Sequence, residues 1–520
     1  MRASVASCLC ACFVAVPIRA QGVLPLSETL VFGEISTTFA GACGPSAFPT
    51  IAGDQGLATF WPNGTCTVQS QGYTVCPGGL VVTGAPESRS ATYEVGSDGT
   101  MTMRWLPAQP GVDDDVVLLR ADGAVMVRAR FHDRSSEPQL MIAVALSSGH
   151  GLGSLQGPYH VTRLVQDNAV TGLVAQGELG VIQFDGHGGY QESGVRHELP
   201  MGGTGSTTNY GPRVGSYAVA PDGSLTTGVG AVGALSPDGE VFFWIRRSGS
   251  VVSLTIGLRQ ATAFPAAMAR GDWRLAAIAS AIGATAPSPE LRSDWGLATL
   301  DPNLAGGGAL ALDLVHVVST PAQTTAAPST VTDTFTIGSQ GQLVLRSSAT
   351  PSMPGALSAD SSVFAALTIP GDSIGLAVGV AAAHWPAPYG APTAGSGGIA
   401  PLLLAVGGFP FAGNPAFALV VAGGRGGALG LLVASGDVAS GLPLYGGHVW
   451  IDPNQVFASQ PLVLSGPAGV AGGGAAALPL PLPQSAALWG FSFACQAFTH
   501  DPAAPQAIAM SSALEIEICR

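Results

Sequence analysis

The chain has 520 residues, 47% of them apolar and only 10% charged, with 33 Asp and Glu set against 20 cations that are all arginine. A net charge of −13 excludes a nucleic-acid binder, which needs a basic footprint, and argues against an anionic membrane surface. The length corresponds to about three to four domains, and the 72 glycines and 39 prolines punctuate strand-like runs, as turn-rich β structure requires.

Residues 1–20 read as a secretory signal: Arg2 supplies the charge, 3–16 is mostly apolar, and small Ala20 precedes the cut before Gln21. A lipoprotein reading through Leu9-Cys10-Ala11-Cys12 leaves the apolar segment too short. No later run of about 18 apolar residues is free of Gly, Pro and charge, so no spanning helix is expected. The aromatics, 7% of the chain, form no paired girdles of the kind a membrane barrel carries.

Strand-like runs then follow one another. In the first unit, 30–36 opens, 56–60 runs into the turn Pro62-Asn63-Gly64, 91–95 and 100–103 flank Asp98-Gly99, 116–119 and 125–127 flank Asp122-Gly123, and 140–145 closes. In the second, 159–164 opens, 179–184 leads into Asp185-Gly186, two Pro-Asp-Gly hairpins at 221–223 and 237–239 follow, and 251–258 closes. Asp-Gly suits such turns, because glycine adopts positive φ without a Cβ clash and Asp tolerates the left-handed region. Phe60 to Phe184 and Asp98 to Asp222 span the same 124 residues, and Gly296-Leu297-Ala298-Thr299-Leu300 repeats Gly56-Leu57-Ala58-Thr59-Phe60 in four of five positions. The third unit is completed by 273–278, 335–337, 343–345 and 374–380.

These landmarks predict three repeats, at 28–148, 156–262 and 270–383, each an antiparallel meander of about eight strands; rolling into a barrel is the economical way to hide its edges, with an open sandwich as the alternative. A barrel of that size is filled by side chains or holds one small ligand. The bulky residues assigned to the inside of the second unit, Tyr217, Val219, Leu225, Val241 and Phe243, favour a filled one. His384-Trp385-Pro386-Ala387-Pro388 is a stiff linker to a final domain at 389–520.

That final domain has Tyr389-Gly390, Gly395, Gly397, Gly398, Gly408, Pro410, Gly413, Phe417 and Leu442-Pro443-Leu444 before a glycine pair. It continues with Pro479-Leu480-Pro481-Leu482-Pro483, Leu488-Trp489-Gly490-Phe491, Gln496, Ser511 and Leu514-Glu515-Ile516. In these residues it resembles the carboxy-terminal β-rich domain of exported proteins from high-GC environmental bacteria. The resemblance implies a C-terminal β-sandwich and export, and brings no activity with it. The pattern departs at Ala391-Pro392 and His448, where Gly-Cys pairs are expected; that removes a family disulfide and leaves Cys495–Cys519 as a local replacement. The fold class expected is therefore all-β, three barrel-like repeats followed by a sandwich.

Cys8, Cys10 and Cys12 leave with the signal. In an oxidising compartment Cys495 and Cys519, on adjacent strand-like runs, are expected to pair, and Cys43, Cys66 and Cys76 to give one pair and one thiol of open connectivity. There is no Cys-x-x-Cys and no nearby His pair, so disulfides are favoured over a metal site. Gly-x-Ser-x-Gly is missing, and His197-Glu198 runs into Pro200 where a zinc-peptidase helix needs its second His. His160 and His187 are isolated, and Asp113-Asp114-Asp115 reads as a solvated loop. Asn63-Gly64-Thr65 reads as a turn. Most of the eight tryptophans fit core packing, but Trp61 and Trp295 flank the repeated Gly-Leu-Ala-Thr motif and are candidate ligand contacts. No catalytic residue, metal or cofactor is assigned. The expectation is a non-enzymatic secreted, periplasmic or cell-surface structural or interaction protein, its partner an unidentified protein or cell-surface glycan. The alternative is a binding protein holding a small apolar or carbohydrate ligand inside a barrel, and an extracellular hydrolase of unrecognised type is a third reading, because a site assembled from distant loops leaves no local motif.

Overall fold

The computed structural model describes residues 28–38, 49–96, 98–106, 115–130, 138–169, 172–284, 289–302, 307–320, 323–346, 353–369, 372–382 and 386–519. The signal, Cys43, Asp113, Asp114, His384 and Trp385 lie outside them. No described helix is long and apolar enough to cross a membrane.

Each repeat closes as an eight-stranded antiparallel barrel, because its first strand pairs with both its second and its last. The first barrel runs from Thr29–Thr38 to Gln139–Ala145, the second from Gln156–Asp167 to Val251–Arg259, and the third from Gly271–Ala281 to Ser373–Ala381. In the first, the short strand Val81–Thr83 adds onto Thr65–Val75 outside the closed ring. The hairpins obey the turn chemistry of the sequence. Asp222 Oδ1 accepts from the Ser224 amide at 2.9 Å and its hydroxyl at 2.7 Å, while Gly223 sits at φ 89°. Asn63 likewise accepts from Thr65 in the 61–64 turn.

The three barrels pack around one pseudo-three-fold axis, which the linear pattern did not announce. A single hydrophobic cluster takes Ile35, Val127 and Ile142 from the first barrel, Phe243, Ile245 and Val252 from the second, and Ile278, Leu367 and Leu376 from the third. Equivalent residues meet at both ends of the axis. At one end Gln166 Nε2 donates to Thr37 Oγ1 at 2.6 Å and Ser280 Oγ at 3.3 Å; all three stand seven residues beyond Leu30, Tyr159 and Trp273 in the first strands. At the other end the equivalent turns meet at Arg120, whose buried guanidinium reaches Asp122 at 2.5 Å, Asp238 at 2.7 Å and Asp360 at 3.7 Å. Close approach depends on Gly53 and Gly177. A Cβ on Gly53 would meet Val252 Cγ1 at 2.7 Å, and one on Gly177 would meet Leu367 Cδ1 at 2.8 Å.

This packing corrects the inward assignment of Val241 and Phe243. Both belong to the shared core between barrels, whereas Phe242 and Trp244 fill the second barrel with Tyr217, Val219 and Leu225. Because Val241 to Ile245 are all buried, both faces of that strand are apolar and the period-two signal disappears.

The C-terminal domain is a sandwich of five-, three- and two-stranded sheets around Phe417, Leu432, Phe493 and Ile516. Its Phe409, Phe411 and Cys519 join the hydrophobic cluster of the first barrel. Cys495 and Cys519 are separate buried thiols, contrary to the expected pair. Register explains it: Leu514 stands opposite Cys495, so Cys519 lies five residues further on, about 17 Å along the strand, against a Cα limit of about 7 Å for a disulfide. Cys66 is also a free thiol, and Cys76 lies ten residues further along its strand direction, about 33 Å away, so those two cannot bridge.

Candidate functional site

The three interiors differ although their walls follow one pattern. The second barrel is packed by Tyr159, Phe184, Tyr217, Phe242 and Trp244, with Phe184 in edge contact with Tyr159, Tyr217 and Phe242 at 5.0 to 5.5 Å between centroids. The third keeps an apolar void of about 60 Å³ among leucines, alanines and Phe364. The first holds a cavity of about 350 Å³.

Strand register builds that cavity in layers. Phe32, Met126 and Ala143 form one row of an apolar floor, and Phe60, Met101 and Val117 add to the apolar lining. Above it stand Glu34, Asp54, Met103, Arg128 and Met141, then Ser36, Thr50, Thr74 and Gln139. Glu34 pairs with Asp54 across one strand boundary and with Met141 across the other, which sets that middle layer. Trp105 also lines the cavity, and its Nε1 donates to Asp115 at 2.8 Å. Arg128 is buried and forks between Glu34 and Asp115, the latter at 2.8 Å. Asp115 is thus a buried ion-pair partner, which corrects its reading as part of a solvated loop.

The Asp54 carboxylate makes no hydrogen bond or ion pair among the described residues, whereas its neighbour Glu34 is paired with Arg128. Burial and the adjacent Glu34 carboxylate push Asp54 up to about 6, outweighing the pull of Arg128 and Arg247. The same position of the second strand carries an acid in every barrel: Asp54 opposite Glu34, Glu178 opposite Arg163, and Asp294 opposite Ala277. Burial alone would raise Glu178, but Arg163, Arg196 and Arg213 hold it below the usual carboxylate range. Asp294 bonds His316 Nδ1 at 2.5 Å, and that bond raises the imidazole. The third-strand residues opposite these acids are Gly72, Arg196 and His316. Only in the first barrel does the acid meet no side chain on the third strand.

Trp61 and Trp295 line neither cavity. Side chains alternate across a strand, so Phe60 points into the first barrel while its neighbour Trp61 is 42% exposed. Asp294 likewise borders the small third-barrel void, and Trp295 packs outward against the shared core. The residues that form the site were missed individually, but a signal for them existed: four of nine methionines, Met101, Met103, Met126 and Met141, fall in one repeat at strand spacing. Methionine suits an irregular binding wall because its unbranched thioether adapts to different shapes.

No family model matches the chain, and no curated protein does. Among solved structures, the isotype 1 transferrin binding protein B of serogroup B Neisseria meningitidis is matched over 69% of this chain and 77% of that one, at 9% identity and a TM-score of 0.19. A likeness of that size carries no argument about function.

Proposed function

We propose that this chain is an exported binding protein whose first barrel holds a small amphipathic molecule, and whose other two barrels and C-terminal sandwich hold that barrel in place. Binding is common to both expectations raised by the sequence, the interaction protein and the ligand-holding barrel. The observation that carries the narrower form is the contrast of interiors: equivalent walls enclose about 350 Å³ in the first barrel and about 60 Å³ in the third, and close on aromatic rings in the second. A volume near 350 Å³ lies at the lower end of small-molecule sites, and an apolar floor under a few polar groups is their usual lining.

The test is a titration with 1-anilinonaphthalene, a neutral apolar fluorophore, against the wild-type chain and Ala143→Phe. Ala143 is buried in the cavity floor, so the larger ring takes space from a ligand. One saturable site is expected, weakened about tenfold or more in the variant, which corresponds to about 1.4 kcal/mol. Equal binding by both proteins would refute a site in the first barrel.

A further inference from the structure

We propose that the first barrel selects a protonated amine attached to an apolar body, with Asp54 accepting the ammonium in the space that Gly72 leaves open. This rests on the first-barrel cavity being a binding site, and adds to it the class of ligand. Three equivalent acids face the third strand, and in two barrels the chain supplies a cationic or hydrogen-donating partner from the opposite residue: Arg196 at 2.6 Å from Glu178 and His316 at 2.5 Å from Asp294. In the first barrel the opposite residue is Gly72, where a Cβ would stand 2.8 Å from Asp54 Oδ1. The barrel that lacks the partner is also the one with room for a ligand.

The surroundings fit an ammonium better than the alternatives. The charged groups acting on Asp54 are Glu34, Glu87, Arg128 and, from the second barrel, Arg247. Arg128 is already divided between Glu34 and Asp115, and Arg247 donates to the Gln71 carbonyl at 3.1 Å. Arg89 at the cavity wall pairs with Glu87 at 2.8 Å. A hard metal ion wants six to eight oxygens, and Asp54 with an engaged Glu34 falls far short. Below the carboxylates, Met101, Met126, Phe32 and Phe60 offer apolar surface to the rest of the molecule.

The experiment compares octylamine with octanol by titration calorimetry on the full chain. Wild type at pH 7.5 is expected to bind octylamine at least tenfold more tightly, since a hydrogen bond between charged partners is stronger than one to a neutral hydroxyl. Asp54→Asn keeps the shape, removes the charge and should abolish the preference while octanol still binds. Gly72→His, which copies the third barrel, should do the same by supplying an internal partner. The preference should shrink about tenfold from pH 7.5 to pH 5 as Asp54, with its pKa of about 6, takes up a proton. Equal binding of amine and alcohol by wild type, or a preference surviving Asp54→Asn, overturns the amine assignment and leaves the cavity standing. Failure of both molecules to bind overturns the cavity reading and the amine assignment together.

Discussion

Single positions decide what each barrel contains. The inward step of the first strand is Glu34, Arg163 or Ala277, and around it the interior becomes an open charged belt, a closed ion network or an apolar void. At the pseudo-three-fold axis the same logic produces a titrating group. Glu240 lies beside the Arg120 clasp, and burial followed by Asp360 and Asp238 pushes it up to about 8, despite Arg259 at 3.3 Å. The folded pKa exceeds the unfolded value, so this contribution to stability is complete below about 4.5 and is lost as pH rises toward 8. The slope is at most about 1.4 kcal/mol per pH unit. Glu240→Gln should therefore be more stable than wild type at pH 8 and nearly equal to it at pH 5, as read from urea midpoints. Parallel curves at both pH values would contradict the assignment.

At the scale of elements, turns were legible and faces were not. The Asp-Gly and Asn-Gly turns, the 124-residue spacing and the closing strands of each unit could be read because their stereochemistry is local. Which side of strand Val241–Ser248 faces inward could not be read, because barrel interior and inter-barrel core bury its two faces alike. The same blindness misplaced Trp61 and Trp295 by one residue and hid Asp54, whose significance appears only when Gly72, Arg196 and His316 are aligned across barrels. Phe243 makes the inter-barrel role testable. It is fully buried and packs against Gly33 of the first barrel. Phe243→Ala should cost about 3–5 kcal/mol in chemical denaturation, the usual loss for a buried ring. A loss below about 1 kcal/mol would mean that the interface collapses freely or contributes little.

Across the whole molecule, three barrels of one topology stand in a single chain and differ inside. The walls are kept where barrels touch, through a common apolar core, the Gln166 contact at one end of the axis and the Arg120 clasp at the other. The first interior is hollow and lined by methionines, and the C-terminal domain covers its base through Phe409 and Phe411. The most direct test is a methyl-carbon spectrum of the chain labelled at its methionines, recorded during titration with octylamine. The resonances of Met101, Met103, Met126 and Met141 should move together and saturate, while those of Met201, Met268, Met353 and Met510 stay in place. Movement of Met353, at the third-barrel void, with the four first-barrel methionines unchanged would contradict the account.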